Sequence, residues 1–135
     1  MAGKFFSTNS VTLTTGQTVP LTTSRVCGCN MKLDSNSIEF LSPGTYLVNV
    51  SITAAQTGTT AMGARLMTDS PTGVMPSEGA VVTSSDATAG NVRSLSITDT
   101  IRVCKSRFCG TPKLYVMATG NMTVSNIIVT VAKVS

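Results

Sequence analysis

Between Ser37 and Thr53 the chain reads SIEFLSPGTYLVNVSIT, a Pro-Gly turn that opens onto side chains of alternating character. Tyr46, Val48, Val50 and Ile52 fall on one face, and Leu47, Asn49, Ser51 and Thr53 on the other. Successive strand residues point to opposite faces, so this pattern predicts a β-strand with one face in a core and one largely polar. From Val124 to Val134, VSNIIVTVAKV, β-branched residues dominate on both faces, which predicts a strand buried on each side.

Turn signals recur along the whole chain, at Gly16, Pro20, Gly28, Pro43-Gly44, Gly58, Pro71 to Gly73, Pro76, Gly79, Gly90, Gly110 with Pro112, and Gly120-Asn121. Short strands at this spacing indicate a sandwich or barrel. Strands are expected at Val11 to Thr14, Thr18 to Thr22, Met31 to Leu33, Ile38 to Leu41, Tyr46 to Thr53, Ala61 to Thr68, Val81 to Ser84, Val92 to Ile97, Thr100 to Cys104, Lys113 to Ala118 and Ile127 to Val134. The nearest approach to a helical period, Thr60 to Met67, is interrupted by Gly63 and reads as a strand. Asp69 to Gly79, DSPTGVMPSEG, reads as a loop.

Composition sharpens this to an all-β fold. Only 12% of residues are charged, and 22 Thr, 16 Ser and 15 Val take their place. That bias toward β-branched and short polar side chains suits strands and turns. At 135 residues the chain is the size of one domain. The first ten residues, MAGKFFSTNS, offer only Phe5 and Phe6 as bulky apolar side chains and contain no run that reads as a signal peptide or membrane span. Residues 1–10 are therefore expected to form an N-terminal arm and residues 11–135 the folded domain, starting life in the cytoplasm.

The net charge of +4 is spread out except for Arg102, Lys105, Arg107 and Lys113. Four local cations without interleaved aromatics do not make a nucleic-acid stripe, so no nucleic-acid partner is expected and the cluster reads as an exposed tip. The chain has no His, which removes the commonest general base and metal ligand together. Six acids could in principle pair for glycoside hydrolysis, but four sit in turn-rich segments and aromatic sugar platforms are lacking. No phosphate-cradling loop or nucleophile elbow is present, and neither enzymatic activity nor a cofactor is expected.

Cys27-Gly28-Cys29 and Cys104-x-x-x-x-Cys109 are the sharpest constellation. Four thiolates from two loops could hold tetrahedral zinc, although a one-residue gap is unusual for such sites. Disulfides, including a Cys104–Cys109 staple, and free thiols are the competing readings, and residue types alone leave all three open. Asn49-Val-Ser51 and Asn121-Met-Thr123 match the glycosylation acceptor pattern, which carries meaning only in a secreted protein. The seven Met read as gap-fillers in a core short of aromatics.

Three segments together resemble the tumour-necrosis-factor and complement-type jelly roll: Gly16-Gln-Thr-Val-Pro-Leu21, Ile38-Glu-Phe-Leu-Ser-Pro-Gly-Thr-Tyr-Leu-Val48, and Ser125-Asn-Ile-Ile-Val-Thr-Val-Ala-Lys-Val134. The likeness looks closest to bacterial and phage versions, such as the C-terminal domain of collagen-like spore-surface glycoproteins. It implies a jelly-roll sandwich assembled as a homotrimer. One face of the last strand, Ile128, Thr130, Ala132 and Val134, would then meet neighbouring subunits while Ile127, Val129 and Val131 fill the core. The resemblance points to a virion component, a bacteriophage capsid decoration or head-fibre trimer that binds a major capsid protein or another virion protein, with Phe5 and Phe6 as the expected attachment point. A receptor-binding or carbohydrate-binding head, recognising a host surface glycan, is the alternative.

Overall fold

The computed structural model describes residues 2–26, 31–57, 61–69, 77–83, 92–103 and 113–134. Eleven strands lie within them: β1 (Ala2–Ser7), β2 (Val11–Leu13), β3 (Thr23–Val26), β4 (Met31–Asp34), β5 (Ser37–Phe40), β6 (Gly44–Gln56), β7 (Gly63–Asp69), β8 (Ser77–Thr83), β9 (Val92–Val103), β10 (Lys113–Ala118) and β11 (Met122–Lys133). All pairings are antiparallel. One sheet has six strands in the order β3-β1-β11-β6-β9, with β2 also paired to β11; the other has five, β4-β5-β10-β7-β8.

The alternation read from the sequence places the core. Tyr46, Val48, Val50 and Ile52 of β6 are buried, while Asn49 and Ser51 between them are exposed. On β11, Ile127, Val129 and Val131 point the same way and are buried. The facing sheet supplies Ile38, Phe40, Leu66, Leu114 and Val116. Each such side chain contributes about 1.5–3 kcal/mol by leaving water. The Phe40 and Tyr46 rings lie 4.6 Å apart at the end of the sandwich where β5 hands over to β6. There the Tyr46 hydroxyl donates to the Ser42 carbonyl at 2.7 Å, so the polar tip of a fully buried aromatic is satisfied.

Local chemistry sets the turns. Ser35 and Asn36 both adopt left-handed φ, 46° and 68°, in the two-residue connection from β4 to β5. Paired positive φ values at the centre of a hairpin match the twist of the flanking strands. The Asn36 side-chain oxygen also accepts the Leu21 N–H at 3.3 Å.

The first ten residues are not a free arm. Ala2–Ser7 forms β1, inserted between β3 and β11, with six residue pairs to β11 running from Ala2–Ala132 to Ser7–Ile127. Phe5 is wholly buried and Ser7 nearly so. The boundary expected at residue 10 does not separate arm from domain, because the sheet begins at Ala2.

Other elements also depart from the sequence reading. Val92–Val103 is one strand where two were expected, paired without interruption to β6 from Gly44–Val103 to Ala55–Val92. β8 starts at Ser77, within the expected loop. Conversely, Thr18 to Thr22 forms only an isolated bridge, Thr18 to Met117. The Val19 N–H donates to Val116 in the five-stranded sheet and the Thr22 N–H to Phe6 in the six-stranded one. The segment therefore crosses from one sheet to the other around Pro20, which has no N–H for a ladder.

Candidate functional site

Because one side of the six-stranded sheet covers the core, alternation leaves its other side open. Reading across β3, β1, β11, β6 and β9, the register gives one row of Arg25, Lys4, Thr130, Asn49 and Thr98 and a second of Thr23, Phe6, Ile128, Ser51 and Ser96. A further row holds Ala132, Leu47 and Thr100. Ile128, Ala132, Leu47 and Phe6 are half-buried, Thr130 exposed. The Thr98 hydroxyl donates to the Asn49 side-chain oxygen at 2.9 Å, tying β9 to β6 across this surface. Two depressions mark it, one of about 540 Å³ lined by Lys4, Arg25, Val26, Leu47, Thr130 and Ala132, the other of about 270 Å³ around Ser51, Ser96 and Ile128.

Of the residues expected to meet neighbouring subunits, Ile128, Thr130 and Ala132 share this open face. Val134 lies just past β11, is 57% exposed, and donates its N–H to Thr45 at 2.8 Å. The expectation that β11 would be buried on both sides does not hold within one chain: its Ile127 side is sealed and its Ile128 side is not. The two phenylalanines of the expected attachment point separate likewise. Phe5 points into the core and cannot touch another molecule, which corrects that assignment. Phe6 points outward beside Ile128, with the Lys4 ammonium 5.2 Å from its ring centre.

Charge is distributed unevenly between the sheets. On the five-stranded sheet Lys113 pairs with Asp34 at 2.9 Å and Lys32 with Glu39 at 3.2 Å. The Lys113 hydrogen bond and charge hold the Asp34 carboxyl below its usual range. A carboxylate with a lowered folded pKa stabilises the fold above its unfolded pKa and loses that contribution as pH falls through the folded value. Asp34→Asn is accordingly expected to flatten the acid limb of a urea-midpoint-against-pH profile below the ordinary carboxylate range. The change is expected to be small, since the pair is exposed and screened by solvent. An unaltered acid limb would show that the pair is not coupled to folding.

Arg102 and Lys113, expected at an exposed tip, sit at one end of the sandwich, Arg102 exposed and Lys113 engaged with Asp34. Lys105 and Arg107 lie outside the described residues. So do Cys27, Cys29, Cys104 and Cys109, and their disulfide, thiol and metal readings stand as the sequence left them. Among the described residues no three of Cys, Asp and Glu lie close enough together to hold a metal ion.

This architecture is a TNF-like jelly roll. The Eiger TNF of S. frugiperda superposes with a TM-score of 0.79 at 12% identity, covering 100% of this chain and 92% of that one. Murine APRIL at pH 5.0 gives a TM-score of 0.71 at 11% identity with 98% of each chain covered. The globular domain of the zebrafish complement 1qA protein gives 0.67 at 11% identity, covering 96% of this chain and 92% of that one. No family model and no curated relative matches the sequence. At such low identity the likeness carries the fold, and the chain shares that fold across almost its whole length.

Proposed function

We propose that the protein is a non-enzymatic structural component of a virion, a homotrimer that decorates or extends from a bacteriophage capsid by binding the major capsid protein or a neighbouring virion protein. The observation that carries the reading is the open face of the six-stranded sheet. It offers half-buried Ile128, Ala132, Leu47 and Phe6 among Thr, Ser and Asn, with the Lys4 and Arg25 cations confined to its β1–β3 side. Copies meeting through Ile128, Thr130 and Ala132, with Val134 at the rim, would cover the side of β11 that a single chain leaves uncovered. The same face is poor in chemistry, since its central rows hold hydroxyl and amide groups beside the Lys4 and Arg25 cations, without a carboxylate or imidazole to act as general base.

Native mass spectrometry is expected to give a species near three times 14.0 kDa, and Ile128→Asp to shift it to the monomer, because a charge on this face would be buried without a partner. A wild-type monomer would remove the trimer. Placement on the capsid is tested by banding a phage lysate by density and probing it with antibody to the protein. Recovery with the particles is expected; recovery only among soluble proteins would overturn the assignment to the virion.

A further inference from the structure

Lys4 of β1 and Arg25 of β3 stand directly opposite each other, both exposed on the open side of the six-stranded sheet. Cross-strand neighbours lie about 4.5–5.5 Å apart at Cβ, where like charges are destabilising. Neither makes an ion pair among the described residues, whereas Lys32 and Lys113 on the other sheet both do. The Lys4 ammonium faces the Phe6 ring, a contact that brings no counter-charge. The described outward positions of β3, β1, β11, β6 and β9 include no Asp or Glu, and Asp99 falls in register with Val48 on the core-facing side.

These two cations line one flank of the depression of about 540 Å³. Thr130 and Asn49 continue their row across β11 and β6, and the neighbouring row supplies Ala132 and Leu47 as an apolar flank. The Asn49 side-chain oxygen already accepts the Thr98 hydroxyl, which leaves the amide N–H groups as donors. The polar flank is thus rich in hydrogen-bond donors, two of them charged, beside a wall of methyl groups. A space of this size is in the range that small-molecule sites occupy.

We infer that this depression binds a small organic phosphate monoester, its phosphate between Lys4 and Arg25 and a compact apolar group against Leu47 and Ala132. Such a monoester carries about −1.5 to −2 charge at neutral pH, which matches two adjacent cations. A guanidinium takes phosphate oxygens in pairs, and an ammonium acts beside it as a point charge. Inorganic phosphate would satisfy the cations and leave Leu47 against water. The described acids of a second copy do not supply the anion: Asp34 and Glu39 are paired with Lys113 and Lys32, and Asp99 accepts the Thr100 N–H. The depression shares Thr130 and Ala132 with the surface proposed for subunit contact, so in a trimer the ligand lies beside a neighbouring copy. The inference itself rests on the geometry of one chain.

The test titrates the full-length protein with phenyl phosphate at about 50 mM salt, where exposed charges still act at more than 10 Å, and follows heat and amide chemical shifts. A dissociation constant on the order of 1 mM is expected, as suits a ligand of this size, with shifts centred on Lys4, Arg25, Leu47 and Thr130. Lys4→Gln with Arg25→Gln is expected to weaken binding about tenfold or more, since both charge-assisted contacts are lost. Arg93→Gln with Arg102→Gln removes the same charge from β9, outside the depression, and should change it less than about twofold. Leu47→Ser is expected to weaken phenyl phosphate about threefold and leave inorganic phosphate unchanged. Should the first double variant fold poorly, Arg25→Gln alone, at the wild-type urea midpoint, is expected to weaken binding about threefold. Undiminished binding by a folded charge variant, equal binding of neutral benzyl alcohol, shifts centred elsewhere, or no binding by the wild type at about 10 mM ligand would overturn the inference. A monomer that binds would remove the trimer and keep this site, whereas a capsid-bound trimer indifferent to phenyl phosphate would remove this site alone.

Discussion

Deletion of Met1 to Ser10 is expected to abolish cooperative folding. The segment supplies β1, which lies between β3 and β11 and is bonded to both, so its loss strips one edge of the strand that runs through the sheet and leaves β3 without its described partner. It also removes Phe5, which is fully buried; truncating such a side chain alone costs about 3–5 kcal/mol, against a total stability of about 5–15 kcal/mol for a domain of this size. Far-UV circular dichroism and urea titration of the truncated chain should show no native transition. Phe5→Ala in the intact chain should lower stability by about 3–5 kcal/mol and Phe6→Ala by about 1 kcal/mol, because only the first empties a sealed cavity. A truncated protein with a wild-type urea midpoint would make β1 a dispensable addition to the sheet. Loss of particle binding on truncation reports unfolding, and says nothing about where the partner docks.

The fold class was legible because strand alternation is local. The Tyr46, Val48, Val50 and Ile52 set could be read from the sequence, since one residue of slip would have turned every one of them to solvent. β1 was missed for the opposite reason. In AGKFFS the adjacent Phe5 and Phe6 mask the alternation, and Gly3, Phe5 and Ser7 form an inward set only once β11 is known to lie alongside. Gly3 itself has a non-local cause: a Cβ there would come 2.8 Å from the Met31 sulfur. The split of β9 at Thr98-Asp99 was a false break, because outward Thr98 followed by a polar residue on the inward side, Asp99, looks like a turn when the partner strand is unseen. On the candidate site, the β11 face was visible in the sequence. The outward row of Phe6, Ile128 and Ser51 was not, since it forms only through the antiparallel register of three strands.

Gly120→Ala is expected to be more destabilising than the same change at Gly3 or Gly16. Gly120 is buried in the connection from β10 to β11, and a Cβ at that position would press on the Ala61 carbonyl oxygen and lie 2.8 Å from the Met62 Cα. Both are main-chain atoms, so no rotamer change relieves the overlap. Displacing the 61–62 backbone would disturb the fully buried Met62, whose N–H donates to the Gln56 side-chain oxygen at 3.3 Å, and the Thr119 N–H bond to Gly63 at 2.9 Å. Overpacking of this kind costs about 1–3 kcal/mol before a hydrogen bond is lost, so a decrease of about 3 kcal/mol or more is expected. Gly16 provides the contrast. Its φ of +93° is strained for any L side chain, yet no atom lies within 4 Å of its prospective Cβ, so Gly16→Ala should cost about 1–2 kcal/mol from backbone strain alone. Urea midpoints measured side by side distinguish the two mechanisms. Equal losses would mean that the 61–62 segment yields freely, and that the close approach at Gly120 does not hold the two sheets in register.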